Sequence, residues 1–186
     1  MKTSPFLPLK GNYWQLTAFQ KAECIYDITF YFAHKYIGNG DRTRDQMIQA
    51  ARSGKQNIAE GCADGTTSTE MELKLINVAK SSLHELILDY EDYLRVRGLE
   101  CWGYQSEKGR IARGVCARHN DSAYYREAIR VRNDTAIAYI AITLIHQADY
   151  LLRGYLEALK KDFLEHGGIK EQMYNARVQS RSEKKK

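Results

Sequence analysis

Over long stretches of this chain, apolar residues recur every three to four positions, the period of a helix that buries one stripe. The first stretch runs from Asn12 to about Tyr36, with Trp14, Phe19, Ala22, Ile25, Tyr26, Phe30 and Ala33 on a broad face. Asn12 and Gln15 have capping-box spacing at its start. The turn IGNGD follows, where Gly38 and Gly40 permit positive φ. A second helix is predicted from a cap at Thr43, boxed with Gln46, to between Cys62 and Gly65. Met47, Ala51, Ile58 and Cys62 supply its apolar side. Gly54, inside it, is either a cost of up to about 1 kcal/mol or a point where another helix comes close.

The third stretch is the most regular. Ile76, Leu83 and Tyr90 are spaced by sevens, and so are Ala79, Leu86 and Tyr93, which makes a continuous seam. Overlapping boxes at Thr67–Glu70 and Thr69–Glu72 start it, and Gly98 offers a stop after Arg97. At 1.5 Å per residue the helix is roughly 40 Å long. Residues 98–121 lose the periodicity and read as a loop with a short helix around Lys108–Arg118. Another short helix is expected from Ser122 to Val131. Asp134 then caps a last long helix carrying Ile137, Ile140, Leu144, Ala148, Leu151, Tyr155, Leu159 and Phe163, which stops before Gly167 and Gly168.

Four substantial helices with short first and second connections predict an all-α fold, an antiparallel up-and-down four-helix bundle with a long helix 3–4 insertion. Both prolines lie within the first eight residues, so none obstructs a helix after Leu9. The bundle domain is expected over residues 1–169, with the insertion at 98–133 and a basic flexible tail at 170–186, disordered from Arg177 onward. No run approaches the roughly 18 uncharged apolar residues of a membrane span. The N-terminal apolar patch is broken by Pro5, Pro8 and Lys10, unlike a signal peptide, so the expected compartment is the cytoplasm.

Charge separates along the chain. Residues 95–132 carry nine basic and four acidic side chains, and residues 170–186 carry six and two. The remainder is mildly acidic, although the net charge is +5. Such separation fits an electrostatic footprint for nucleic acid, but charge alone favours slightly a solvated loop with a solubilising tail.

Catalytic and metal motifs are absent. None of the five histidines follows a glutamate by three positions, as a di-iron bundle requires, and His146 with Asp149 reads as a surface pair. Cys24, Cys62, Cys101 and Cys116 lack zinc-ligand spacing, and Cys24 and Cys62 read as buried thiols. Glu60, His84, Glu85 and Asp89 fall near one region, but no nucleophile with an orienting base completes them. The expectation is no enzyme, no cofactor and no metal.

The segment ARSGKQNIAEG, residues 51–61, resembles the Asn-Ile-Ala-Glu-Gly motif of the 23S ribosomal RNA intervening-sequence, or S23-like, proteins. These include the accessory variability proteins of diversity-generating retroelements. Asn57, Ile58, Ala59, Glu60 and Gly61 carry the motif, with Ser53 upstream. Ala79, Ser82, Leu83, Glu85 and Leu86 are similar to the helix-three pattern of the same family. The chain departs from that family at Gly54, Lys55 and Gln56, at Ser81, and in its insertion. The resemblance implies a four-helix bundle that assembles as a homo-oligomer, often a pentamer, and a positive surface for nucleic acid or a reverse transcriptase. Asn57 and Glu60 share a helical face, and with Glu85 they are expected to form a fold-maintaining network across helices two and three.

The leading expectation is therefore a non-catalytic oligomeric accessory protein that binds nucleic acid, RNA ahead of DNA. Its phosphate contacts would be Arg110, Arg113, Arg118, Arg126, Arg130 and Arg132, assisted by Arg181, Lys184, Lys185 and Lys186. Tyr104, Tyr124 and Tyr125 are the stacking candidates, each with packing against the bundle as the alternative. The second expectation is a structural or protein-interaction scaffold in which the same arginines meet a protein partner.

Overall fold

The structure, a computed structural model, describes residues 12–64, 68–100 and 102–183. It is all-α, with no strand among the described residues. The helices are α1 (Thr17–Tyr36), α2 (Arg42–Asp64), α3 (Thr69–Val96), α4 (Glu107–Arg118), α5 (Ser122–Ala128), α6 (Asp134–His166) and α7 (Ile169–Glu183).

Four of them enclose one core. Helix α1 packs on α2 and α6, and α3 packs on the same two. Both sevenfold seams of α3 are buried from Ile76 to Tyr93, opposite Ile25, Ile28 and Phe32 of α1 and Leu144, Ala148 and Leu152 of α6. Helices α2 and α3 run antiparallel: Gly54 faces Leu83, while Gly61, seven residues on, faces Ile76. A Cβ at Gly54 would stand 2.8 Å from Leu83 Cδ2, so this glycine marks a close helix approach. Helices α3 and α6 are antiparallel as well. Tyr93 Oη donates to Asp134 Oδ2 at 2.9 Å, Lys80 pairs with Asp149 at 3.7 Å, and Tyr155 donates to Glu72.

Helices α3 and α5 start at Thr69 and Ser122, as the sequence reading has them, while the other starts and the capping residues differ by a residue or several. Helix α1 begins at Thr17, because residues 13–15 form a 3₁₀ turn that sets Tyr13 edge-on to Phe19, with centroids 4.8 Å apart. Trp14 is left exposed, and so is Phe30, which the expected stripe included. Asp41 accepts from Thr43 N in place of a Thr43 cap; Ser68 caps α3 through Met71 N, and Asn133 caps α6 through Ala136 N. In each case the capping oxygen comes from a residue just outside the helix, and at Ser68 and Asn133 extended backbone lets it turn onto a free N–H. Thr67 lies outside the described residues.

Helix α3 ends at Gly98 (φ +62°) and α6 at Gly167 (φ +74°), both in the left-handed region that glycine favours. Beyond Gly167 the chain resumes as α7, mostly exposed, over residues whose composition reads as a flexible tail. The stretch Asp134–Ser182 contains a window long and apolar enough to cross a membrane, which the sequence reading did not anticipate. More than half of that window is buried inside the protein (56%), where it supplies the core side of α6.

Candidate nucleic-acid interface

The basic insertion folds as two helices packed against α1 and α6, with Cys116, Tyr125 and Ile129 buried in the core. Ser106 Oγ accepts from Gly109 N at 3.1 Å and starts α4. A Cβ at Gly109 would lie 2.7 Å from Gly103 O, so glycine allows the 102–104 segment to close over this helix. At the other end, Lys21 of α1 donates through Nζ to Cys116 O at 2.8 Å. Its side chain is buried, and burial lowers its pKa. A cation at a helix C-terminus meets the negative end of the helix dipole. Gln147 of α6 donates to Arg113 O at 3.1 Å. Helix α5 is held by Asp27 of α1, which accepts from Ser122 Oγ and, at 2.9 Å, from Arg126 Nη1.

These anchors redistribute the six candidate arginines. Arg126 is committed to Asp27, whereas Arg130 meets Glu127 at 3.4 Å only through an exposed i,i+3 pair that leaves its guanidinium open to solvent. Arg132 donates to Ala128 O. Arg113 lies flat on Tyr104, its guanidinium carbon 3.8 Å from the ring centroid. Arg110 and Arg118 are exposed and have no carboxylate partner among the described residues. The tyrosines divide too. Tyr104 is exposed, while Tyr124 stacks in parallel on His119 at 3.8 Å. Tyr125 is buried and donates to His119 O, so it is not available to stack on a base. Lys184 and Lys185 fall outside the described residues, as does Cys101.

Each insertion helix walls an aromatic groove. Between α1 and α5 lies a groove of about 630 Å³ lined by Tyr26, Phe30, Tyr31 and His34 together with Lys35, Arg126 and Arg130. Phe30 packs on His34 at 4.2 Å, and Lys35 donates to Tyr31 Oη at 2.8 Å. That bond, followed by one to Tyr36, raises the lysine pKa. Lys55 stands 4.5 Å over the Tyr26 ring. The sequence reading missed this face because Tyr26 and Phe30 have ordinary core spacing; only the position of α5 leaves them open.

The second groove, about 710 Å³, runs along α6 beneath Trp102, Tyr104 and Arg113. Tyr139, Ile142, Gln147 and Tyr150 also line it. Trp102 packs on Tyr139 with centroids 4.8 Å apart, so the wall is set by contacts within the protein. Two polar atoms here are buried without a hydrogen-bond partner, Arg113 Nη1 and Gln147 Oε1. Leaving such a bond unmade costs about 1–3 kcal/mol per group.

The residues of α2 and α3 that carry the resemblance build a different contact from the one expected. Asn57 Nδ2 donates to Ser53 O at 2.9 Å and to Ser53 Oγ at 3.1 Å, and Ser53 Oγ meets Ser82 Oγ at 3.0 Å. Glu60 and Glu85 stay exposed outside this relay, because water solvates a carboxylate better than the narrow α2–α3 seam does. Gly61 serves the seam, where a Cβ would stand 3.2 Å from Ile76 Cδ1. Glu85 and Asp89 line an open polar recess with Arg42 and Asp45. Burial, then Asp92 and Glu85, raises the Asp89 pKa. Three buried thiols, Cys24, Cys62 and Cys116, are free, and burial raises each; Cys24 is pushed up to about 12. No group of three histidine, cysteine or acidic side chains could hold a metal ion among the described residues.

No family model, curated protein or solved structure matches this chain.

Proposed function

We propose that this protein is a non-catalytic accessory protein that binds single-stranded nucleic acid, RNA foremost, on the face built by its insertion. The observation that carries the reading is the pairing of cations with open aromatic rings along both grooves walled by α4 and α5. Single-strand binders combine a positive track for phosphates with aromatic faces on which bases stack, and that combination needs no base-specific contact. In the α1–α5 groove Phe30 and Tyr31 offer ring faces, and Lys35 and Arg130 offer charge. Arg110 and Arg118, exposed on α4, extend the positive track. Arg126 belongs to the fold through Asp27 and is a supporting residue in this reading.

The proposal includes an up-and-down four-helix bundle of the S23-like kind, supported by the α1–α2–α3–α6 packing and by the Ser53–Asn57–Ser82 contact at the resembling motif. It also includes cytoplasmic assembly as a homo-oligomer, pentameric by that resemblance, with a reverse transcriptase among the protein partners to be tested. A scaffold without nucleic acid is the second reading. The exposed Leu164, Tyr174 and Val178 at the end of α6 and on α7 favour it, since they offer apolar surface to another chain.

Equilibrium binding to single-stranded RNA across a salt series tests the function. The comparison is a variant with Lys35→Gln, Arg110→Gln, Arg118→Gln and Arg130→Gln whose helicity is unchanged. The wild type is expected to bind with a steep salt dependence, and each lost phosphate contact should flatten the slope by about 0.7 for a single strand. Absence of binding at low salt from an intact oligomer would overturn the nucleic-acid reading and leave the scaffold.

A further inference from the structure

We propose that the groove along α6 is covered by the protein's own N-terminal segment, Pro5–Lys10, docked as a left-handed polyproline helix. The segment reads Pro-Phe-Leu-Pro-Leu-Lys, and residues 1–11 lie outside the described residues. Two prolines with two residues between them are the pattern of polyproline ligands, whose three residues per turn bring both rings to one side. Such ligands dock in grooves walled by aromatic rings, and they lose little conformational freedom because proline fixes the backbone beforehand. The groove has those walls: Trp102 is braced on Tyr139, Tyr104 lies under Arg113, and Tyr150 stands 73% exposed at the rim.

Position, length and charge favour this occupant. Helix α1 runs antiparallel to α6, because Tyr36 at its end donates to Arg132 O at 3.3 Å. Thr17, the first residue of α1, therefore lines the groove at its Leu151 end. Tyr93 donates to Asp134, so Glu91 lines the groove at the opposite, Tyr139 end. The segment joins α1 through the 3₁₀ turn at residues 13–15, close to the Thr17 end. Between Tyr139 and Leu151 helix α6 rises about 18 Å at 1.5 Å per residue. Pro5–Lys10 as a polyproline helix covers about 19 Å at 3.1 Å per residue. Followed back from Thr17, the segment leaves Lys10 at the entrance, lays Pro8 and Pro5 against the rings and directs Lys2 towards Glu91. Glu91 is the one carboxylate lining the groove among the described residues. The lining cations are occupied elsewhere: Lys21 is turned inward onto Cys116 O, and Arg113 lies flat on Tyr104. A short tether supplies an effective concentration in the millimolar range, so the chain's own segment outcompetes that of a second copy. Strand binding in the α1–α5 groove is independent of this contact, and a strand along α6 would have to displace it.

Trp102 reports the contact once Trp14→Phe has removed the other tryptophan. Acrylamide quenching is compared between that full chain and one that also carries Pro5→Ser, Phe6→Ser, Leu7→Ser and Pro8→Ser, with helicity confirmed equal by circular dichroism. The docked segment should shield Trp102, and the four serines should abolish the shielding. A synthetic peptide of residues 3–11 added to the serine chain should restore it with a midpoint below about 1 mM, because a short tether docks a segment only when its Kd lies below the effective concentration supplied. The same peptide with both prolines changed to serine should not restore it. Glu91→Lys, on an exposed position of α3, should weaken the shielding of the unaltered segment. Equal quenching in the two chains, or no restoration by the peptide at millimolar concentration, would overturn the docking. Shielding untouched by Glu91→Lys would overturn the direction of the segment along the groove. Shielding that grows with protein concentration would overturn the intramolecular contact and assign the segment to a second copy.

Discussion

Alanine in place of Gly54 tests whether the α2–α3 seam is as tight as its geometry implies. Within a helix, alanine is favoured over glycine by about 1 kcal/mol. At position 54, however, the new methyl would stand 2.8 Å from Leu83 Cδ2 and 2.9 Å from Cγ. Carbon atoms rest about 3.5–4.0 Å apart, so Leu83 has to retreat by close to 1 Å. It has little room, being 1% exposed inside the core. Overpacking of this kind costs about 1–3 kcal/mol, which leaves Gly54→Ala between neutral and about 2 kcal/mol destabilising. Gly154 is the control: it lies on α6, is exposed, and has nothing within 4 Å of its would-be Cβ. Gly154→Ala should gain the full helix preference of about 1 kcal/mol, or about 2–4 °C in a chain of this size. Thermal unfolding followed by circular dichroism reads both. In a Leu83→Ala background the cost at position 54 should disappear, and Gly54→Ala should then stabilise. Equal upward shifts from both alanines in the wild-type background would refute the close approach.

Two further expectations concern buried titratable groups. Glu72 is held above its ordinary pKa by burial, while the bond from Tyr155 pulls it partly back. A raised carboxyl binds its proton more tightly in the folded state, so stability falls as pH rises from the unfolded value through the folded one. Tyr155→Phe removes the donor and raises the folded pKa further. Urea midpoints should show a loss of about 1–3 kcal/mol near neutrality that shrinks as the medium is acidified; a loss independent of pH would refute this role. Cys24, Cys62 and Cys116 are buried with raised pKa values, so a thiol reagent should modify them only at the rate of unfolding. Immediate modification of all three in the native protein would contradict their burial.

The interior was legible in the sequence where a stripe repeats without interruption. All six seam residues from Ile76 to Tyr93 are buried, as are Met47, Ala51, Ile58 and Cys62, because sevenfold spacing leaves a helix one way to face its neighbours. Caps were displaced because Asp41, Ser68 and Asn133 compete locally with their neighbours, and backbone conformation just outside the helix decides which oxygen reaches an N–H. Charge counts located the basic insertion but not its pairings: Arg126 finds Asp27 from 99 residues away. Neither groove could be read from spacing. Trp102, Arg113 and Gln147 become neighbours only once α4 has docked on α6, and Phe30 looks like core until α5 settles beside it rather than over it.

The fastening of α4 and α5 has a consequence for cooperativity. The two helices are tied to the rest of the protein by Lys21 with Cys116, Gln147 with Arg113, and Asp27 with Ser122 and Arg126. All these ties reach across long loops of chain, whereas the seams of α1, α2, α3 and α6 are continuous. The insertion also contributes Cys116, Tyr125 and Ile129 to the buried core, so lifting it would open the interior beside α1 and α6 as well as breaking these ties. Because it supplies one wall to each groove, lifting abolishes both at once. On the proposed strand binding, apparent affinity would scale with the docked fraction, and binding in either groove would slow amide exchange across α4 and α5 together.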